Sequence, residues 1–409
     1  MKKILTLIIV TAVAAVTQLN LFAQFLAPAE LAPYLENAPE IISRSAVLID
    51  AHTGALLYSK NRNLQIPPAS LTKLMTMHLV MKEIDQGRAF YDELITITEE
   101  SWAQSQPPRS SLMFLEPGQI VTLREILTGI AVVSGNDAAV AAALRIAPTV
   151  KDFAEMMTAE ARSMGLSVTR FTEPAGIFAD NLITAAEYTL FCRQYIMQHP
   201  YALRDFHSVQ SFAYPTSANI PEGRLRRPNT IVQHNQNVLL RTFPGVDGLK
   251  TGFISESGYN IALTAERNQT RFILVLLGAP AERGGSRIRA EDSARILEWA
   301  FDNFKTVRPV IGNIESAQLW KGKENNAELK IAGSADFTSH TDRASSLNYE
   351  VVIPQPLIAP LPEGYQAGYL CIKDEQGELT RVPLITVRSY ERGNIFKRLW
   401  HSILMLSKK

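Results

Sequence analysis

The chain of 409 residues has only two cysteines, Cys192 and Cys371, far apart and with no Cys-x-x-Cys or Cys/His grouping around either. That spacing offers no zinc framework, and both are expected as buried thiols. A charge excess is missing too: 41 basic residues face 40 acidic ones, a formal net charge of +1. So even a balance removes the electrostatic case for nucleic acid as the main partner. Neither Gly-x-Ser-x-Gly nor His-Glu-x-x-His occurs, so a Ser-His-Asp triad elbow and a zinc-peptidase helix have no foothold. Internal repeats and low-complexity tracts are absent as well.

What is present is a globular composition, 46% hydrophobic and 20% charged. The length exceeds what one ordinary core serves, so two domains are expected. Lys2 and Lys3 precede an apolar run from Ile4 to Val16, then polar residues and the small Ala23. The run is short for a membrane span, and residues 1–23 read as an export signal cut after Ala23. The mature protein is then expected outside the inner membrane, with no cysteine nearby for lipid attachment.

Ser45 to Asp50 and Ala55 to Tyr58 read as a β-hairpin turning at Thr53-Gly54. Pro67-Pro68 ends the next loop, and Leu74, Met77 and Met81 continue a helix that starts at Ala69 or Ser70. Pro107-Pro108 and Pro117-Gly118 bracket an irregular loop. Leu123 to Val133 is apolar at helical spacing, and the alanine-rich stretch from Asn136 to Ile146 is expected as a buried helix. Phe272 to Leu277 has the unbroken apolar character of a central strand, and Ser293 to Phe301 that of a closing helix. After Lys305 short alternating runs, Ala327 to Ile331, Tyr349 to Ile353 and Tyr369 to Ile372, suggest a small all-β module. Asn394 to Leu406 sets Ile395, Phe396, Leu399, Trp400, Ile403, Leu404 and Leu406 on one side, with Lys397, Arg398 and His401 on the other. Such a helix can pack on its own protein, but Trp400 and the basic face suit an in-plane membrane anchor.

Ser70-Leu71-Thr72-Lys73 is the single Ser-x-x-Lys of the chain, followed by Ser134-Gly135-Asn136 and Lys250-Thr251-Gly252. A serine hydroxyl needs a base within hydrogen-bond reach to act as a nucleophile, and residues three apart on a helix share a face. Taken singly, Ser70 reads as a helix cap, Lys250 as a solvated lysine and Gly252 as a turn glycine. Ser-x-Asn also recurs at Ser217-Ala-Asn219 and Ser346-Leu-Asn348, so it carries little alone. Lys-Thr-Gly occurs once, and the order of the three motifs carries the signal.

Pro68-Ala-Ser-Leu-Thr-Lys73, Arg109-Ser-Ser-Leu-Met-Phe-Leu115, Ser134-Gly-Asn-Asp-Ala138 and Val246-Asp-Gly-Leu-Lys-Thr-Gly252 together resemble the low-molecular-mass penicillin-binding proteins. Within that group they are similar to the serine-type D-alanyl-D-alanine carboxypeptidases. The resemblance covers residues 40–305 and extends more weakly to the β-rich tail and terminal helix. It implies an α/β (α+β) chain: a β-lactamase/transpeptidase-like catalytic domain over residues 24–305, with an antiparallel sheet and a helical lobe. A small β-rich domain over 306–390 and an amphipathic helix over 391–409 would follow.

The resemblance also implies roles. Ser70 attacks the carbonyl of the penultimate D-alanine, with the N–H groups of Ser70 and Phe253 as oxyanion donors. Lys73 is the base, provided burial and the nearby Lys250 charge lower its pKa. Ser134 relays a proton to the leaving amine and Asn136 holds the substrate amide. Lys250 supplies positive potential, Thr251 and Ser134 bond the terminal carboxylate, and Gly252 lets the substrate backbone pair along its strand. The implied partners are peptidoglycan stem peptides ending in D-Ala-D-Ala, β-lactam antibiotics and a membrane surface, with no metal and no cofactor. An endopeptidase, a β-lactamase and a catalytically poor penicillin-binding scaffold are the competing readings.

Two positions depart from the family pattern. Gln236 precedes Asn237-Val-Leu-Leu240 where relatives often carry a basic residue facing the substrate carboxylate. Glu173 stands in Phe171-Thr-Glu-Pro-Ala-Gly176 where a neutral residue is common, and is expected to be a surface carboxylate rather than a deacylating one. His78 is expected to be structural.

Overall fold

A computed structural model describes residues 31–220 and 229–407, so the expected export signal lies outside the described residues. The chain divides into two compact units: among the described residues the first holds 35–301 and the second holds 31–34 with 302–407.

The first unit is built on a five-stranded antiparallel sheet. Its strands are β1 (Ser45–Asp50), β2 (Leu56–Lys60), β3 (Val246–Ile254), β4 (Gly258–Arg267) and β5 (Thr270–Ala279), in the order β2-β1-β5-β4-β3. The expected hairpin is β1-β2, and the Phe272 to Leu277 run lies in the central strand. Alternate residues of a strand face opposite ways. Accordingly Ile273, Val275 and Leu277 enter one large core with the helices, while Phe272 meets Phe301, ring centroids 4.8 Å apart. Each such buried side chain contributes about 1.5–3 kcal/mol. Strand β3, which carries Lys250, Thr251 and Gly252, is left at the sheet edge.

The helical lobe contains α1 (Lys73–Asp85), α2 (Leu123–Thr128), α3 (Asn136–Ile146), α4 (Val150–Ser163) and α5 (Ala185–Gln198). Thr122, Thr149 and Thr184 cap α2, α4 and α5 by accepting N–H bonds from the residue three positions on. The expected helix from Ala69 begins as a 3-10 turn over Ala69–Thr72 and becomes α-helical at Lys73. The Leu123 to Val133 stretch is not one helix: α2 gives way to a π-turn over Gly129–Val133. Ser134 follows in the left-handed region, φ 61°, and turns the chain into α3. Helix α3 is buried from Asn136 to Ala143, which its small alanines allow. A final helix, α6 (Gly285–Asn303), carries Phe301 against the sheet.

The second unit contains a four-stranded antiparallel sheet of β6 (Leu329–Ile331), β7 (Asn348–Val352), β8 (Gln366–Asp374) and β9 (Gly377–Thr386), ordered β6-β9-β8-β7. The Ala327 to Ile331 run is not one strand: Asn326–Ala327 pairs in a different sheet from β6. Buried Leu329, Leu370, Ile372, Val382 and Leu384 form its separate core. The unit ends in α7 (Ile395–Ser407).

Candidate active site

Lys73 lies at the first α-helical position of α1, one turn beyond Ser70, and has no exposed surface. Its Nζ is 3.1 Å from Ser70 Oγ, 2.7 Å from Asn136 Oδ1 and 2.6 Å from the Ala175 carbonyl. The last two atoms can only accept. A neutral amine has two N–H groups for those two oxygens and one lone pair left, which faces the Ser70 hydroxyl. Burial lowers the Lys73 pKa to about 7, against the opposing pull of Glu173 and Asp137.

Lys250 was expected to assist that shift by its charge, but burial is the cause. Lys250 is buried too and lies well below the ordinary lysine range, through desolvation first and then repulsion from Lys73 and Arg289. Its Nζ donates to the Thr251 carbonyl at 3.1 Å.

Two carboxylates organise the surroundings. Asp137 is buried and accepts the N–H groups of Met113 at 2.8 Å, Leu115 at 3.0 Å and Ala138 at 2.9 Å. This gathers the Arg109 to Leu115 loop against the Ser134–Asn136 turn, where the Asn136 N–H also donates to the Ser111 carbonyl at 2.8 Å. Phe114 is thereby held at φ 70°, a conformation unusual for a bulky side chain. Glu173 is not a free surface carboxylate. It is half-buried and accepts the N–H groups of Ala175 at 2.7 Å and Ile177 at 2.9 Å, with Asn181 Nδ2 at 3.1 Å. Those bonds fix the loop whose Ala175 carbonyl meets Lys73.

The edge strand closes the other side. A Cβ built on Gly252 would lie 2.9 Å from both the Pro68 carbonyl and the Ser70 N–H nitrogen. Only a residue without a side chain lets β3 come this close to the nucleophile. Asn260, opposite Gly252 on β4, donates to the Pro67 carbonyl at 3.0 Å and accepts from the Gly278 N–H at 2.8 Å. Behind β3, His207 Nδ1 lies 3.1 Å from the Leu249 carbonyl and must donate to it, so Nε2 accepts from the Tyr195 hydroxyl at 2.8 Å. Complete burial depresses the His207 pKa to about 3 and keeps the ring neutral.

Ser70, Lys73 and Asn136 are thus joined by hydrogen bonds, and Gly252 abuts them. Ser134 and Thr251 are buried nearby in the chain, but neither side chain is hydrogen-bonded to another among the described residues. Phe253 is partly exposed, its ring 4.3 Å from that of Tyr259. His78 is buried in the helical lobe between His199 at 3.0 Å and Glu160 at 3.1 Å. Gln236 is exposed. Both cysteines are free and buried. Among the described residues no group of His, Cys, Asp and Glu is placed to hold a metal ion.

Asn260, His207, Asp137 and Arg289 are residues that motif reading missed. Asp137 alone had a local signal, standing directly after Ser134-Gly-Asn136. Arg289 lies on α6 with its guanidinium 5.7 Å from the Tyr259 ring centre.

The family model described as D-alanyl-D-alanine carboxypeptidase matches residues 33–281, and that of the penicillin-binding protein 5 C-terminal domain matches residues 305–392. The chain is 32% identical to the D-alanyl-D-alanine carboxypeptidase DacD of Escherichia coli, over 91% of this chain and 92% of DacD. Penicillin-binding protein 5 of Haemophilus influenzae superposes with a TM-score of 0.76 at 28% identity, covering 87% of this chain and 99% of the other. The ampicillin-bound form of penicillin-binding protein D2 from Listeria monocytogenes superposes with a TM-score of 0.54 at 26% identity, covering 64% of this chain and 100% of that one. With a matching model over more than half its length and a relative this similar from end to end, the chain belongs to the D-alanyl-D-alanine carboxypeptidase family.

Proposed function

We propose that the protein removes the terminal D-alanine from peptidoglycan stem pentapeptides through an acyl-serine intermediate. One observation carries this reading: the Lys73 amine, with both N–H positions taken by Asn136 and Ala175, faces the Ser70 hydroxyl at 3.1 Å. Lys73 takes the hydroxyl proton as Ser70 Oγ attacks the penultimate carbonyl. The Ser70 N–H, at the start of its helical turn, and the Phe253 N–H on β3 receive the developing oxyanion. Ser134 passes a proton to the departing amine, and Asn136, whose Oδ1 is already engaged by Lys73, offers its NH2 to the substrate amide. Substrate lies antiparallel along the edge of β3 at Gly252. Thr251 and Lys250 meet the terminal carboxylate, whose negative charge favours the protonated form of Lys250 against the burial that disfavours it. Water then hydrolyses the ester.

The same site takes β-lactams, as the ampicillin-bound relative supports. We place the protein outside the inner membrane, with residues 1–23 as its export signal and residues 391–409 as a surface anchor. No cofactor enters this mechanism.

The test uses the chain lacking residues 1–23, a pentapeptide ending in two D-alanines, a chromogenic cephalosporin and a fluorescent penicillin. Release of D-alanine with slow cephalosporin turnover is expected. Ser70→Ala should remove covalent labelling and lower D-alanine release on the order of 1,000-fold or more. Rapid cephalosporin turnover would make the protein a β-lactamase, and labelling retained by Ser70→Ala would remove Ser70 from the chemistry.

A further inference from the structure

Two buried histidines of the helical lobe touch each other and each meets a carboxylate. His78 Nδ1 lies 3.0 Å from His199 Nε2, His78 Nε2 lies 3.1 Å from Glu160 Oε1, and His199 Nδ1 lies 3.0 Å from Asp85 Oδ2. Glu160 also accepts from the Lys82 amine at 2.7 Å. The His78 and Lys82 bonds hold its carboxyl at about 2, so it is ionised and can only accept. The Asp85 side chain is 44% exposed, and its other oxygen accepts from the Tyr201 hydroxyl at 3.1 Å. Both outer ring nitrogens must therefore carry hydrogen, His78 Nε2 for Glu160 and His199 Nδ1 for Asp85. Two neutral imidazoles have no hydrogen left after that, and their remaining lone pairs would face each other at 3.0 Å. The contact between the rings is a hydrogen bond only when the pair holds a third hydrogen. The two rings together are then a single cation.

The surroundings balance one such charge. Lys82 and the shared proton stand against Glu160 and Asp85, two charges of each sign. The titratable rings packed around the pair are phenols. Tyr195 of α5 has its ring centre 6.4 Å from that of His78 and 5.4 Å from that of His199, and Tyr91 lies beyond Tyr201 at 6.2 Å. Burial holds all three phenols above their ordinary pKa, so they add no charge. A second proton is resisted, because burial and then the charge on His78 lower the His199 pKa to about 4.

We propose that the proton shared by His78 and His199 is a pH-sensitive latch: it ties α1 to α4 and to the end of α5, and its loss as pH rises loosens the helical lobe. His78 and Asp85 belong to α1, Glu160 to α4, and His199 is the residue that ends α5. Helix α1 also begins with Lys73, so the latch holds the element on which that amine is mounted. The inference stands on hydrogen-bond geometry and is independent of the carboxypeptidase reading. Its sign follows from proton counting. Once the rings separate they titrate near the ordinary value of about 6.5, so above that pH the latched state holds one proton more than the open one. The contribution is fully present below about pH 6.5 and is lost as pH rises through the pKa of the latched pair.

The test uses the chain lacking residues 1–23 with 15N-labelled histidine, beside His78→Gln. That variant leaves His199 neutral, with Nδ1–H on Asp85 and Nε2 free to accept from the new amide. At about pH 7.5 the parent rings should show three N–H groups on His78 and His199 together, one of them shared and shifted downfield, and His78→Gln should lose the shared signal. Amide exchange in α4 and the end of α5, corrected for base catalysis, gives the opening constant. The parent-to-variant ratio of that constant should be flat below about pH 6 and rise about 10-fold per pH unit above about pH 7, levelling where the shared signal disappears. Taking the ratio removes Lys73, whose lowered pKa acts in the opposite sense and is common to both proteins. One hydrogen on each ring at about pH 7.5 would overturn the inference, and the parent alone decides this if His78→Gln fails to fold. A ratio that stays flat above about pH 7 would overturn it too. So would a shared hydrogen still in place at about pH 10, which would make the pair a permanent charge and not a latch.

Discussion

An ammonium without water around it holds its proton weakly, and Lys73 shows how far this shifts a lysine when nothing charged pairs with it directly. Its contacts are the Ser70 hydroxyl, an amide oxygen and a peptide carbonyl, all neutral. Desolvation therefore wins, and the pKa of about 7 puts a useful share of free amine at neutral pH. The active form is the deprotonated one, so acylation by benzylpenicillin should rise from about pH 5, bend near 7 and flatten by about pH 9. Glu173 works against the shift, so Glu173→Gln should move the midpoint to lower pH. A stopped-flow acylation profile checks both statements. A midpoint near the ordinary lysine value would show that Lys73 is not the base.

At the scale of elements, the site depends on two segments meeting without a side chain between them: the Ala69–Thr72 turn and the edge strand β3. Gly252→Ala places a Cβ 2.9 Å from the Pro68 oxygen and the Ser70 nitrogen, both backbone atoms that cannot swing aside. The strand must retreat by several tenths of an ångström, and with it the Phe253 N–H. Penicillin acylation should fall on the order of 10- to 100-fold, because a displaced donor forfeits part of the roughly 2.7–4 kcal/mol that an intact one supplies. Acylation at the parent rate would mean that β3 does not position the reacting carbonyl. Much of this frame is legible in the sequence. The Ser70–Lys73 spacing, the alanine run of α3 and the apolar run of β5 each state their element locally. The π-turn at Gly129–Val133 is not legible, since its apolar residues keep helical spacing until the chain bends at Ser134. Nor are Asn260, His207 and Arg289, which meet residues distant in sequence: Asn260 reaches Pro67, His207 reaches Leu249, and Arg289 lies by the Tyr259 ring. An arginine in an amphipathic helix looks solvated until the fold covers it.

The last scale is the whole molecule, where the second unit ends in a helix turned inside out. Helix α7 is tied down by its polar residues: His401 Nδ1 accepts the Lys321 N–H at 2.8 Å and Lys397 Nζ donates to the Lys323 carbonyl at 2.9 Å. Ile395, Phe396, Leu399, Trp400, Ile403 and Leu406 are instead 60–79% exposed. A globular helix buries its apolar stripe, so this face is shaped for a partner medium. With 13 residues α7 is about 20 Å long, too short for a bilayer, and among the described residues no helix is long and apolar enough to cross one. An in-plane position at a lipid surface fits both the length and the exposed Trp400. The full chain without residues 1–23 should therefore sediment with vesicles of phosphatidylethanolamine and phosphatidylglycerol. The double variant Leu399→Glu, Ile403→Glu should lose that binding on the order of 100-fold, as two apolar side chains are replaced by charges that anionic lipid repels. Release of D-alanine from a soluble pentapeptide should stay at the parent rate, since the catalytic groups belong to the other unit. If the variant still sedimented like the parent, the exposed face would have to meet protein rather than lipid, and the anchor would have to be sought elsewhere in the chain.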